Sequence, residues 1–519
     1  MRIRQPRAAV VALTVAVAAG TAACNPDPTA SGGGGEGPET APFVVARTAD
    51  IDGRDPATAT AFQTVQTLGL VYDTLLDTGS DGELEPGLAT EWEVSDDGTE
   101  VTLQLRDGVT FHDGAEFTAE DAKATLERVL DPDTGSVVAS NLGNVKSIEA
   151  PDDTTLVISL SNPDASLLNV LSQTGTSILD SGDIEDKTVG REVNGTGPFA
   201  WEGWKQGQQV TLTASDDYWG DAPTLETVEL RVIPDESSIL SGMRAGSFDL
   251  GIVTDPSVAQ QVGEEEAQVI SQPTLSYHVL QLNAQRGPLT DVRVRQAIAC
   301  AIDREQVVEQ AYFGEGEVTG PITSPAFDYD ATEGLPCDPP DLDTARSLLE
   351  EAGEGDGFSL DTIVMTGEYA TASNIAQSVQ GQLQEIGVDL QLQQQETSVY
   401  VDNWLNASYD AAVALNGGST DPYVMYGRYF GPDASLAKPA GLADEGLARL
   451  LTEGNSTTDE DERQQVFGEL QSEMLDLSPW VWLQHNQSYY LLGSDVQGFE
   501  AMTTESLDYL AETTREGSG

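Results

Sequence analysis

Between residues 342 and 392 the chain alternates in a way that leaves few folds open. Ala345, Leu348, Leu349 and Ala352 recur at helical spacing until Gly353, and residues 358–365 read as a strand. Ile375, Val379, Leu383 and Ile386 mark a second helix that ends at Gly387 and runs straight into a strand over 388–392. Strand, crossover helix and strand in that order place the two strands side by side and parallel, with a right-handed connection. The class is therefore α/β. Upstream, Val294, Ala297, Ile298, Ala301 and Ile302 hold the i, i+3, i+4, i+7, i+8 spacing of one buried helix face. No period of 20 to 50 residues recurs, which argues against solenoids and propellers.

An earlier stretch has a different grammar. Residues 92–94 and 101–105 read as two strands joined through Asp96, Asp97 and Gly98, whose Asp-Gly pair suits a tight hairpin turn. Thr118, with Asp121 three residues on, caps a helix that Pro132 ends, and residues 156–160 form a further strand. This region reads as a small α+β unit of its own.

The N-terminus reads as an address. Arg2, Arg4 and Arg7 precede an apolar run over 8–20 that is too short to span a bilayer, and Thr21, Ala22 and Ala23 lead into Cys24. That pattern marks a lipoprotein cleavage site with Cys24 as the lipidated residue; the alternative is an ordinary signal peptide in which Cys24 is incidental. The Pro, Gly, Ser and Thr of 25–41 bury almost nothing and make a tether, not a phosphate-binding loop.

Charge excludes one class of partner. With 24 Lys plus Arg against 87 Asp plus Glu, the net charge of −63 rules out nucleic acid. The acids are spread along the chain rather than gathered in a tail, so they are read as a surface adaptation, with a saline habitat as one hypothesis and attraction of a cationic ligand as another. A thermal midpoint that fails to rise between low and molar salt overturns the first. After Cys24 only Cys300 and Cys337 remain, which in an oxidising compartment are either one disulfide or two free thiols. Cys300 lies off the apolar stripe of its helix, within reach of a neighbouring segment.

Several motifs in order resemble family 5 of the extracellular solute-binding proteins, the peptide and nickel group of ABC importers. They are VYDTLL at 71–76, PGLATEWEVSDDGTEVTLQLRDGVTFHDGAEFTAEDAKATLERVLDP at 86–132, NGTGPF at 194–199 with DDYWG at 216–220, LTDVRVRQAIACAIDREQVV at 289–308 and LDTARSLLEEAG at 342–353. The resemblance implies a two-lobed α/β fold of the type II periplasmic-binding kind, with an extra α+β domain inserted in the first lobe. The expected division is a leader over 1–23, a tether over 24–41, the first lobe over 42–79, 189–276 and 484–519, the inserted domain over 80–188, and the second lobe over 277–483. It also implies a monomeric, non-catalytic receptor, which lipid on Cys24 is expected to hold at the outer face of the cell membrane. Such a receptor closes on a solute and delivers it to a membrane permease. A short peptide is the expected solute, with an oligosaccharide or a metal chelate as alternatives, and no cofactor or bound metal is expected.

Residues 414–430, ALNGGSTDPYVMYGRYF, resemble the family's cleft loop, and from it Asn416, Gly417, Asp421, Tyr423 and Tyr426 are the candidate ligand contacts. Asp421 reads equally well as the turn-initiating residue before Pro422. Tyr72, Tyr277 and Trp404 are further candidates, each with simple packing as the alternative. Peptide-binding members place an acid just ahead of an Asp-Pro pair to meet the ligand's α-amino group; here Gly418 stands in that place. His112, His278 and His485 have no second His or Cys at metal-ligand spacing. GxSxG, HExxH and GxxxxGK are all absent from the sequence, so a hydrolase has no motif behind it, and a sensory or adhesive surface lipoprotein is the remaining rival.

Overall fold

The computed structural model describes residues 41–515 except 60, 81, 264–266, 324–331, 367–370 and 433. The leader, Cys24 and all but the last residue of the tether lie outside the described residues.

In chain order the strands are β1 (Phe43–Arg47), β2 (Leu76–Thr78), β3 (Leu84–Pro86), β4 (Ala89–Val94), β5 (Glu100–Leu105), β6 (Val145–Asp152), β7 (Thr155–Leu160) and β8 (Phe199–Lys205). They continue with β9 (Gln209–Ala214), β10 (Thr227–Val232), β11 (Leu250–Val253), β12 (Gln268–Leu282), β13 (Phe358–Thr366), β14 (Val388–Glu396), β15 (Ala411–Asn416) and β16 (Trp480–Leu492). One ten-stranded sheet runs β14-β13-β15-β12-β16-β11-β1-β10-β9-β8, and a separate sheet runs β4-β5-β7-β6.

The strand–helix–strand unit forms as its spacing predicts. β13 and β14 pair in parallel from Phe358↔Val388 to Thr366↔Glu396, with the helix Ala372–Gln384 between them. Gly353 and Gly387 both take positive φ, 84° and 83°, the left-handed stop that a residue without Cβ adopts at no steric cost. The separate sheet starts with the expected hairpin: β4 pairs antiparallel with β5 across a turn at Gly98. The helix Ala119–Leu130 covers it, and the Asp121 carboxylate accepts from the Thr118 backbone N–H.

Two apolar clusters carry the large sheet. One gathers Val45, Leu68, Val71, Phe199, Val228, Leu230 and Leu250 around β1 and β10; the other gathers Leu280, Val294, Ile298, Leu349, Ile375, Leu390 and Val413 around β13–β15. Cys300 belongs to the second cluster and is only 1% exposed, because the helix Val292–Ala301 is buried nearly all round instead of along one stripe. The segment carrying Cys337 closes over it, and the two sulfurs are joined in a disulfide. With the cysteines 37 positions apart in sequence, reduction is expected to cost about 4 kcal/mol by freeing the unfolded chain. Urea unfolding with and without reductant measures it; coincident midpoints would sink the estimate.

Candidate functional site

The site follows from where the parallel strands point. β1 pairs in parallel with β10 and β11, and β13 in parallel with β14 and β15. β11 runs against β16 from Leu250↔Leu492 to Val253↔Tyr489, and β15 against β12 from Leu282↔Ala411 to Tyr277↔Asn416. Both parallel sets therefore aim their carboxyl ends at one place, the stretch of β12 and β16 where the register breaks between Pro273 and Tyr277. Open α/β sheets bind ligands outside the carboxyl ends of their strands, so two such edges facing each other define a cleft.

The loop after β15 enters this crossover. A Cβ on Gly417 would meet nothing within 4 Å, whereas one on Gly418 would lie 1.9 Å from the Leu275 carbonyl oxygen. Gly418 is thus a close-packing residue that admits no side chain. Asn416 is 5% exposed; its Oδ1 accepts a long bond from Gln281 Nε2 at 3.5 Å, and its Nδ2 makes no well-formed hydrogen bond. Gln281 in turn accepts from the Trp404 indole N–H at 2.6 Å. Asn416, Gly417, Tyr277 and Trp404 are therefore one neighbourhood, since Tyr277 is the direct cross-strand partner of Asn416.

The other candidates sit elsewhere. The Asp421 side chain is fully buried: it accepts from the backbone N–H groups of Tyr423 and Val424, capping the helix Pro422–Phe430, and ion-pairs with Arg463. Its acceptors are already engaged, so it does not replace the acid missing at 418. Tyr426, also fully buried, donates to the Pro321 carbonyl and accepts from the Trp482 indole amid Tyr277, Phe430 and Trp480. It is core, packed against the two crossover strands from the far side of the loop after β15. Tyr72 is 3% exposed and belongs to the cluster around β1 and β10, where its ring fills the space beside Gly195. Tyr423 stays half-buried, and burial, with Asp164 and Asp421 nearby, pushes its hydroxyl pKa up.

The richest part of the crossover escaped sequence reading. Gln484, Asn486, Gln487 and Ser488 are 0–5% exposed in the middle of β16, and Gln484 makes no well-formed side-chain hydrogen bond. Nearby, His278 Nε2 lies 2.9 Å from the Tyr312 hydroxyl, which is 3.2 Å from both Thr371 Oγ1 and Asn486 Oδ1. Burial pushes the His278 pKa down to about 4 and the Tyr312 pKa up to about 12, so both are neutral at pH 7. A run of amides inside an apolar strand is costly unless something pairs with it, and QHNQS at 484–488 was the visible signal.

A second cluster lies under the first apolar set. The Asp73 carboxylate accepts from Thr196 Oγ1 at 2.7 Å and Trp219 Nε1 at 2.8 Å, and Arg106 lies 4.2 Å above the Trp219 ring. Burial and the Asp77 charge push Asp508 up to about 7. A carboxyl with a folded pKa above its ordinary 3.8 favours the fold when protonated, so its contribution is lost as pH rises from about 4 through 7. Asp508→Asn is expected to be more stable than the parent by about 2 kcal/mol at pH 8, allowing for its partial solvent contact, and equal to it near pH 4. Paired urea curves at the two pH values test this, and a gap that does not close at low pH refutes it.

The model for bacterial extracellular solute-binding proteins, family 5 Middle, matches residues 83–436. The chain belongs to that family. Heme-binding protein A of Haemophilus influenzae is 27% identical over 459 residues, 80% of this chain and 82% of that protein. Glutathione-binding protein GsiB of Salmonella typhimurium is 26% identical over 435 residues, 79% of this chain and 82% of that protein. The ABC transporter-associated periplasmic binding protein DppA of Helicobacter pylori, solved with peptide STSA, is similar at TM-score 0.77 and 26% identity, covering 91% of this chain and 98% of that one. The fold is accordingly the two-lobed α/β fold of this family, whose members are extracytoplasmic solute-binding components of ABC importers.

Proposed function

We propose that this chain is a lipid-anchored, monomeric receptor that captures a short peptide and delivers it to an ABC permease, without catalysis of its own. The observation that carries the reading is the crossover itself: two parallel-strand edges face each other across β12 and β16, and the polar side chains between them are buried with hydrogen-bonding capacity to spare. Relatives that take glutathione and a tetrapeptide favour a peptide.

Lobe closure fits the contacts around the site. Asn455 accepts from the backbone N–H groups of Ala165 and Ser166, Thr420 donates to Asn169, and Gln260 donates to Glu315. We read these as contacts that form when the lobes close, with residues 274–276 and 485–487 as the hinge. A ligand stabilises the closed form only through contacts it makes there and not in the open one. A thermal-shift screen of the purified chain against short peptides, oligosaccharides and metal chelates tests the solute, because a ligand that binds only the folded state raises the midpoint. Peptides are expected to raise it; a response to sugars or chelates alone rejects the peptide and leaves the receptor. Cys24→Ala is expected to release the protein from the membrane fraction, and retention there would refute the anchor.

A further inference from the structure

Resting on the receptor reading, we propose that Glu505 is the anchor for a protonated amine in the cleft, supplying from the C-terminal turn the acid that the loop after β15 lacks. The turn is held against the crossover from two sides. The Thr503 carbonyl accepts from the Leu275 backbone N–H at 2.9 Å, and the Glu505 carbonyl accepts from Gln66 Nε2 at 2.8 Å. Leu275 is also the residue whose carbonyl oxygen presses on Gly418. Gly418 and the turn that carries Glu505 thus meet on either side of Leu275, the first unable to carry a side chain and the second bearing the carboxyl two residues past Thr503.

Glu505 is placed as a ligand group is placed. It sits deep in the protein yet keeps partial solvent contact, the combination expected of a cleft wall. Its backbone is held at φ 64°, a left-handed conformation that costs a non-glycine residue about 1 kcal/mol and persists only where its surroundings enforce it. The carboxylate accepts one hydrogen bond, from Ser488 Oγ at 2.8 Å. No cation pairs with it among the described residues. Arg47, the buried cation of β1, donates through Nη1 to Gln63 and Thr67 and forms no ion pair with Glu505, although its Nε and Nη2 are without partners. A buried, uncompensated carboxylate is unfavourable in the empty protein.

The neighbours match an ammonium. Ser488 and Tyr490 alternate onto one face of β16, and the Tyr490 hydroxyl, within electrostatic reach of Glu505, has no hydrogen-bond partner. The Thr503 hydroxyl has none either. An –NH3+ group brings three donors and no acceptor, so a carboxylate with an idle tyrosine hydroxyl in reach suits it, whereas an N-acyl group leaves the carboxylate buried and unpaired.

The test titrates the purified full chain and its Glu505→Gln variant with short peptides, their N-acetylated counterparts and a set of oligosaccharides. Acetylation is expected to weaken peptide binding to the parent by about 100-fold, and Glu505→Gln to bring the free peptides down to the acetylated level. The empty variant is expected to melt no lower than the parent, since the substitution removes a buried charge and keeps the shape. A free-over-acetylated preference that survives in the variant overturns the anchor, as does a variant that merely melts earlier with that preference intact. Binding by oligosaccharides alone overturns the anchor and spares the receptor, whereas no binding by any solute overturns both.

Discussion

Gly418→Asp is expected to destabilise the protein by about 4 kcal/mol or to block folding, and to gain no amine binding in return. A Cβ there falls 1.9 Å from the Leu275 carbonyl oxygen and 2.3 Å from its carbon, so the loop and the crossover strand have to separate. Leu275 also accepts from Thr323 and donates to Thr503, so that separation strains two other segments. The neighbouring Gly417→Ala is the internal control. Its Cβ meets open space, and the change is expected to stay within about 0.5 kcal/mol. Urea unfolding of both variants decides the matter, and a Gly418→Asp protein with the parent's midpoint would show that the loop is not packed as described.

Asp421→Ala is the other large effect, expected at about 5 kcal/mol. Two losses combine. The Arg463 partner is 11% exposed and loses the carboxylate it pairs with, a change that costs about 3–5 kcal/mol when a buried pair is broken from one side. The helix Pro422–Phe430 also loses its cap, worth about 1 kcal/mol. The double variant Asp421→Ala, Arg463→Met is expected to recover most of the first loss, because no charge is then stranded. If Asp421 were instead a ligand group, the single variant would unfold like the parent and lose binding only; unfolding and binding curves measured together separate the two.

Local rules were legible and worked where one element decides its own form. The Asp-Gly turn, the Thr118–Asp121 box, the glycines at 353 and 387 and the parallel pair β13–β14 all rest on contacts within a few residues, or on a crossover of fixed hand. Candidate ligand residues were less legible, because an aromatic has the same sequence signature whether it lines a cleft or fills a core. Tyr426 and Tyr277 show this: both sit in the cleft-loop neighbourhood, and both are 0% exposed among Trp480, Trp482 and Phe430.

The amino-acid sequence by itself determined the fold class, the order of the elements, the family and the acid missing at 418, since each depends on residue type and spacing along the chain. Only the tertiary structure decided why no side chain fits at 418. Gly418 lies 143 residues from Leu275 and 87 from Glu505, and Asp249 and Arg515, which pair at 2.6 Å, stand farther apart still. Spacing carries no information about such meetings; the register of β12 against β16 brings the two edges together and determines which buried side chains face each other.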